Sequence, residues 1–149
     1  MTGGRLLFLK NKIQDNFFCT YGDGISNVNL TNLVKFHNAK KKLVTVTAVR
    51  PPARFGEILI RNNKVVSFKE KPQTTNSWIN GGFFVLNKKV FSYINDNQNC
   101  IFEREPLENL SKDGELVAFR HESFWHPVDT LRDKNYLNEI FNKGKAPWL

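Results

Sequence analysis

Hydrophobic positions alternate along the chain between short strand-like runs and helical spacing. The aromatic run at residues 17–21 meets Gly22-Asp23-Gly24, which predicts a buried strand followed by a turn. Apolar residues then recur at helical spacing within residues 29–41, and the β-branched run at 43–49 predicts the next strand. Strand, helix and strand in this order predict a βαβ unit with a parallel pair of strands.

The rest of the chain continues as strands and short helices. Residues 57–60 and 64–69 flank Asn62-Asn63 and predict a hairpin. Further strands are predicted at 79–86 and 116–120, and helices at 88–94, 106–112 and 130–142, the last ending before Gly144 with Leu137, Ile140 and Phe141 on its inner face. The strands outnumber the helices of a strictly alternating parallel sheet, so we predict one α/β domain over 1–149 with a mixed sheet.

Composition narrows the class of partner. The net charge of +8 suggests an anionic partner, but the cluster Lys40-Lys41-Lys42 closes a predicted helix, where cations are favoured. Nucleic-acid-binding motifs are missing, and no apolar run approaches the roughly 20 residues that span a bilayer, so neither nucleic acid nor membrane is expected as a partner. The start of the chain shows no secretory signal pattern. The two cysteines are too few for a disulfide framework, and Cys19 is interpreted as a small buried hydrophobic residue. We therefore expect a cytoplasmic protein.

The strand end at Tyr21-Gly22-Asp23-Gly24 is the first segment with candidate chemistry. Ligands of open α/β sheets bind beyond the carboxyl ends of the strands, and a carboxylate there can hold Mg²⁺. The flanking glycines would let a ligand approach closely. Asp-Gly is equally common in plain turns, so this motif alone leaves both interpretations open.

Two further segments have a plain alternative each. Lys69-Glu70-Lys71-Pro72 could present a carboxylate and an ammonium to a phosphorylated sugar, although a charged edge strand stopped by proline explains the pattern better on its own. The glycines of Trp78-Ile79-Asn80-Gly81-Gly82-Phe83 indicate close approach of a backbone or a ligand, and a β-bulge is the alternative.

The segment before the last helix offers a second carboxylate, Asp129. It could ligate a metal, but Thr130 and Asp133 have the spacing of a capping box, and capping is favoured on this stretch alone. His37 completes an apolar helix stripe, which indicates a packed side chain. His121 and His126 have no third ligand nearby, so a zinc site is not expected there.

Taken together, these segments resemble the nucleotidyltransferases that make sugar nucleotides, and most closely the bacterial glucose-1-phosphate cytidylyltransferase family. The stretches that carry the resemblance are spread over the whole chain: MTGGRL (1–6), TYGDG (20–24), VTAVRPPARFG (46–56), EKP (70–72), WINGGFFVL (78–86), EPLENL (105–110), DTLRDKNYL (129–137) and GKAPW (144–148). RPPARFG and WINGGFFV are specific to the cytidylyl branch, whereas EKP occurs throughout the wider superfamily.

The resemblance implies a Rossmann-like nucleotide-diphospho-sugar transferase fold and Mg²⁺-dependent transfer of a cytidylyl group from CTP to glucose 1-phosphate. Asp23 and Asp129 match the family's metal aspartates, and Glu70 and Lys71 match its pair for the sugar and the sugar phosphate. Asp23 and Lys71 are thereby the implied catalytic residues. The other implied substrate contacts are Gly56, Asn80 and Gly81 for the sugar, and the loop Thr2, Gly3 and Gly4 beside the nucleotide base.

The chain departs from the family pattern at its start. The family opens with a glycine-rich phosphate loop, roughly Gly-Gly-x-Gly-Thr-Arg-Leu, and Met1 aligns with a methionine about one hundred residues into that pattern. We therefore expect an N-terminally truncated version of the fold. Its expected protein partner is either a second copy of the chain or a complementary N-terminal chain that supplies the missing segment. A non-catalytic module that binds sugar phosphate or nucleotide is the alternative, and a basic nucleic-acid-binding domain ranks third.

Overall fold

The computed structural model describes residues 1–51, 56–70, 77–95 and 97–149, without the Glu57 side chain. The chain forms two compact units. The first comprises Met1–Gly22, Asn29–Thr47 and Gly81–Arg120, and the second comprises Asp23–Val28, Ala48–Asn80 and His121–Leu149. The assignment of residues 1–149 to one domain stays a prediction.

Helices and strands follow the predicted order. The helices are α1 (Thr2–Leu7), α2 (Leu30–Lys40), α3 (Glu105–Lys112) and α4 (Leu131–Asn142), with a 3₁₀-helix at Lys88–Tyr93. The strands are β1 (Asn16–Thr20), β2 (Gly24–Ser26), β3 (Val44–Val49), β4 (Glu57–Arg61), β5 (Lys64–Lys69), β6 (Ile79–Asn87), β7 (Leu116–His121) and β8 (Trp125–Pro127). The α/β class is confirmed, whereas α1, β2 and β8 were not predicted.

The four-stranded sheet has the order β1-β6-β3-β7, with β6 antiparallel to β1. The two strands of the predicted βαβ unit, β1 and β3, are therefore not neighbours, and the prediction that they pair was wrong. Strand β6 takes the place between them. Its Phe84 and Leu86 are fully buried, and that apolar surface is covered best in the interior of a sheet.

Strand β6 and the helices around it form the core of the first unit. Phe84 packs edge-to-face against Phe102, while Val44 and Leu110 are fully buried beside them. Helix α2 begins where the Asn29 side chain accepts a hydrogen bond from the Asn32 N–H, and it is terminated by Lys41, the residue after its last turn, whose φ is 52°.

Two packing predictions for the first unit had different outcomes. The prediction for His37 is confirmed: the ring is 2% exposed, and Nδ1 lies 2.9 Å from Thr45 Oγ1. Cys19 was predicted to be buried but is only half-buried: its side chain packs on the core side of β1, and β1 is the outer strand in the sheet order.

The second unit contains two small antiparallel ladders, β2–β8 and β4–β5, and helix α4. The β4–β5 hairpin turns as predicted at Asn62 and Asn63, whose positive φ values of 47° and 61° fit a type I′ turn. The predicted capping box of α4 is also confirmed, with Thr130 and Asp133 forming reciprocal hydrogen bonds.

The inner face of α4 was predicted in part. Leu137 is buried, but Phe141 is 52% exposed, so the predicted inward position of Phe141 was wrong.

The hairpin exposes a large apolar surface. Six of its side chains are more than half exposed: Ile58, Leu59, Ile60, Val65, Val66 and Phe68. Surfaces of this kind in water usually mark a contact site or an aggregation hazard. No helix within the described residues is long and apolar enough to cross a bilayer.

Gly82 generates a testable prediction, because it has φ +78° and a Cβ there would lie 2.6 Å from the Tyr21 ring. Gly114 has φ +67° but open space around its Cβ position. Gly114→Ala should therefore cost only backbone strain, about 1 kcal/mol. Gly82→Ala should lower the free energy of unfolding by a further 1–3 kcal/mol or so through overpacking, measured by urea denaturation. Equal losses in the two variants would show that the Tyr21 ring moves away at no cost.

Candidate active site

The first candidate segment leaves the sheet at the end of β1. The Tyr21 N–H donates to the Gly82 carbonyl at 2.9 Å, which extends the β1–β6 pairing by one residue beyond the strand. A Cβ at Gly22 would meet no atom within 4 Å, and both Gly22 and Asp23 are exposed. The Asp23 carboxylate thus stands in an accessible position directly after a strand, as the sequence predicts.

The β2–β8 ladder brings Asp23 and Asp129 to neighbouring backbone positions in the second unit. Gly24 pairs with Pro127, and the Val128 N–H donates to the Asp23 carbonyl at 2.7 Å. Asp129, the residue after Val128, is exposed. Two residues more than one hundred positions apart in the sequence therefore meet at one end of a two-stranded ladder.

These two carboxylates offer the donor set that Mg²⁺ prefers. Mg²⁺ takes oxygen ligands, usually one or two carboxylates completed by water and substrate phosphates, and rarely a closed cage of protein ligands. The described residues contain no cluster of three or more His, Cys, Asp or Glu side chains that could form such a cage. Asp23 and Asp129 fit the two-carboxylate pattern, and their role as ligands stays a prediction.

The predicted sugar-site residues Gly56 and Glu70 meet in the second unit. A Cβ built on Gly56 would lie 3.1 Å from Glu70 Oε2, so glycine leaves the room that this carboxylate occupies. Asn80 is exposed and Gly81 is buried, both within β6. Lys71, the implied catalytic lysine, lies outside the described residues. These roles stay predictions.

Thr2, Gly3 and Gly4 form the first turn of α1 and not the predicted loop. The N–H groups of Gly3 and Gly4 donate to the Cys100 carbonyl at 3.0 and 3.3 Å. A Cβ would lie 2.8 Å from Cys100 Sγ at Gly3 and 2.4 Å from the Gln98 carbonyl oxygen at Gly4. Close packing on residues 98–100 therefore explains both glycines, and their contact with a nucleotide base stays a prediction.

Glu103, which sequence reasoning missed, connects two of the candidate segments. Its carboxylate accepts hydrogen bonds from the Thr2 hydroxyl at 2.6 Å and the Tyr21 hydroxyl at 2.7 Å. Thr2 Oγ1 in turn accepts from the Phe102 N–H at 2.9 Å. Glu103 lies two residues before the quoted stretch EPLENL, which was the nearest signal in the sequence.

The remaining titratable candidates have structural roles. Burial, and after it the Glu103 carboxylate, raises the pKa of the Cys19 thiol, which therefore stays protonated at neutral pH and is a poor nucleophile. The buried His121 ring lies within hydrogen-bond distance of Ser26 Oγ, 3.1 Å, and of the Phe124 carbonyl, 3.0 Å. Burial lowers the pKa of His37, so this packed imidazole is neutral at pH 7.

An α/β sheet with an accessible carboxylate beyond the end of a strand is an arrangement in which open α/β proteins bind their ligands. The sequence model of the nucleotidyl transferase family matches residues 5–137, so the chain belongs to that family. The resemblance stated from the motifs is thereby confirmed at the level of the family.

Two relatives of known function are similar along nearly the whole chain. The glucose-1-phosphate cytidylyltransferases of Salmonella typhimurium (strain LT2) and Salmonella typhi are each 49% identical over 150 residues, covering 99% of this chain and 58% of the relative. This chain thus spans less than two thirds of their length. The crystal structure of HddC from Yersinia pseudotuberculosis superposes with a TM-score of 0.68 and 22% identity, over 94% of this chain and 62% of that one. This similarity confirms the predicted fold.

Glu103 generates a testable prediction, since Glu103→Ala removes the acceptor of two hydroxyl groups. In a double-mutant cycle with Tyr21→Phe, we expect a coupling of about 1.5–3 kcal/mol in the free energy of unfolding, the usual value for a hydrogen bond to a charged group. Tyr93 and Asp113 make a similar bond of 2.8 Å at an exposed site. That pair is the matched control and should couple less, and equal coupling in the two cycles would contradict a special role for Glu103.

Proposed function

We propose that this chain handles the sugar phosphate and the metal in a glucose-1-phosphate cytidylyltransferase. The reaction is CTP + glucose 1-phosphate → CDP-glucose + pyrophosphate. The single observation that carries the proposal is the 2.7 Å bond from the Val128 N–H to the Asp23 carbonyl, which makes Asp23 and Asp129 neighbours. The 49% identity to the Salmonella enzymes supports the choice of nucleotide and sugar.

The chemistry needs positioning and charge stabilisation more than covalent help from the protein. A phosphate oxygen of glucose 1-phosphate attacks the α-phosphorus of CTP, a new P–O bond forms, and the bond to the leaving pyrophosphate breaks. A sugar phosphate is already ionised near pH 7, so no side chain has to remove a proton. Mg²⁺ held by Asp23 and Asp129 would supply charge neutralisation at the phosphates.

Different residues recognise the sugar hydroxyl groups and the phosphate of the substrate. Glu70 accepts hydrogen bonds from sugar hydroxyl groups, and Lys71 holds the phosphate as a compact positive charge. Gly56, Asn80 and Gly81 contribute backbone and amide contacts to the sugar. Gly56 supports this role of Glu70, because the absence of a side chain at residue 56 leaves space beside the Glu70 carboxylate.

Self-association and a cytoplasmic location belong to the same proposal. The exposed apolar side chains of the β4–β5 hairpin, among them Ile58 and Phe68, support association with a second copy, because burying them removes a large apolar area from water. Cys19 and Cys100 are both free thiols, which supports a reducing compartment. A complementary N-terminal chain is the other candidate partner.

The activity test joins residues 1–149 to the part of the Salmonella typhimurium relative that precedes the matched region. With CTP, glucose 1-phosphate and Mg²⁺, this fusion should release pyrophosphate and form CDP-glucose at a rate at least about tenfold higher than with UTP or GTP. The 149-residue chain alone should bind glucose 1-phosphate without turnover. If the fusion and the 149-residue chain both bind glucose 1-phosphate but neither turns it over, the non-catalytic module is favoured. If neither protein binds glucose 1-phosphate, the proposal is refuted.

The metal assignment has its own test with Mn²⁺ as a paramagnetic probe. In nitrogen-15 NMR spectra, low Mn²⁺ concentrations should broaden the amide signals of residues 23–24 and 128–129 first. Asp23→Asn and Asp129→Asn should each weaken this binding by at least about tenfold, since even the loss of an outer-shell partner typically costs 10- to 100-fold. Asp15→Asn, at an exposed aspartate before β1, is the control with the same charge change and should leave the broadening intact.

A further inference from the structure

A polar pocket of the first unit lies away from every residue discussed so far as a substrate contact. Its volume is about 270 Å³, and its polar lining consists mainly of three lysines and three asparagines: Lys41, Lys42, Lys89, Asn16, Asn38 and Asn87. They come from the start of β1, the end of α2, the segment before β3, the end of β6 and the 3₁₀-helix. We call it the lysine–asparagine pocket.

The pocket carries a net positive charge even after the ion pair of Lys42 is taken into account. Lys42 forms an ion pair with Glu115, with Nζ and Oε1 3.2 Å apart. Lys41 and Lys89 form no ion pair with any described residue. Two unpaired ammonium groups outweigh the roughly half negative charge that the end of α2 contributes, so the pocket favours an anion.

The asparagine side chains form a directed chain of hydrogen bonds. The Lys89 N–H donates to Asn87 Oδ1 at 3.0 Å, Asn87 Nδ2 donates to Asn16 Oδ1 at 2.8 Å, and Asn16 Nδ2 donates to Asn38 Oδ1 at 3.4 Å. All three amide oxygens are therefore used as acceptors. The chain ends in the Asn38 NH₂ group, whose two donors have no partner among the described residues.

We propose that the lysine–asparagine pocket binds a small phosphate-type anion, inorganic phosphate or pyrophosphate, through the ammonium groups of Lys41 and Lys89 and the Asn38 amide. The side chains of Lys41, Lys89 and Asn38 offer cations and unused donors, which are the complement of phosphate oxygens. The pocket is smaller than the roughly 300–1,000 Å³ that hold drug-sized ligands, so it suits a small anion better than a whole nucleotide.

This pocket is separate from the candidate active site. Asn16 begins β1 and Tyr21 follows the strand's end, and five residues of extended chain span about 16 Å. An anion in this pocket is therefore not at the end of β1 from which Asp23 follows. The proposal does not rest on the proposed cytidylyl transfer and holds or fails independently of it.

The test follows the Asn38 side-chain NH₂ signals of the 149-residue chain by NMR during titration with inorganic phosphate or pyrophosphate at constant ionic strength. These signals should shift and saturate with either phosphate anion, and acetate at equal ionic strength should leave them unchanged. A preference for pyrophosphate or for phosphate identifies the occupant. Absence of any shift up to about 10 mM, ten times a millimolar Kd, overturns the proposal.

Matched variants distinguish a built site from a diffuse basic surface. Lys41→Gln with Lys89→Gln should weaken binding at least tenfold or so. Lys35→Gln with Lys112→Gln removes the same charge from exposed positions outside the pocket and should change the Kd less than about twofold, in line with screened surface charges. Equal losses in the two double variants overturn the proposal.

Asn38→Asp isolates the amide from the lysines. The aspartate keeps the oxygen that accepts from Asn16 but replaces the free donors with a carboxylate oxygen, so we expect the shift of neighbouring backbone signals with phosphate to disappear. Retained dispersion of the remaining signals in the NMR spectrum shows that the variant is folded. Binding that survives Asn38→Asp in a folded chain would contradict the assigned contacts.

Discussion

Much of the first unit depends on the fit of the Tyr21 ring against residue 82, where a Cβ would lie 2.6 Å from the ring and only glycine leaves room. The backbone of Gly82 has a positive φ and accepts the Tyr21 N–H, so ring and main chain are fixed at the same point. The Tyr21 hydroxyl then reaches Glu103, which also holds Thr2. The end of β1, the start of α1 and the segment before α3 are thereby joined through the hydrogen bonds of Tyr21 and Glu103.

Local patterns predicted most of the elements because their signals are local. The hairpin turn at Asn62-Asn63, the capping box of Thr130 and Asp133 and the helical stripe containing His37 each depend on neighbours a few positions away. The two elements of three residues, β2 and β8, are too short to show any periodicity. Helix α1 contains two glycines, which intrinsic propensity disfavours, and it forms because those glycines pack on residues 98–100.

Long-range arrangements were beyond the local patterns. Strand β6 lies in the sheet between β1 and β3, although it follows β3 by some thirty residues in the sequence. The hydrophobic patterns of the three strands do not indicate this order. The meeting of Asp23 with Asp129 was expected only from the family resemblance, because helix capping was the favoured explanation of the second segment taken alone. Glu103 has no motif of its own, and its importance rests on two partners that lie more than eighty positions away.

The glycines of α1 have a consequence for how this chain can vary in sequence. Gly3 and Gly4 donate to one carbonyl, that of Cys100, and neither position has room for a methyl group. Residues 98–100 therefore cannot gain or lose a residue without displacing the first turn of α1, and α1 cannot accept larger residues without displacing that segment. The two stretches, nearly one hundred positions apart, should change together during evolution or not at all.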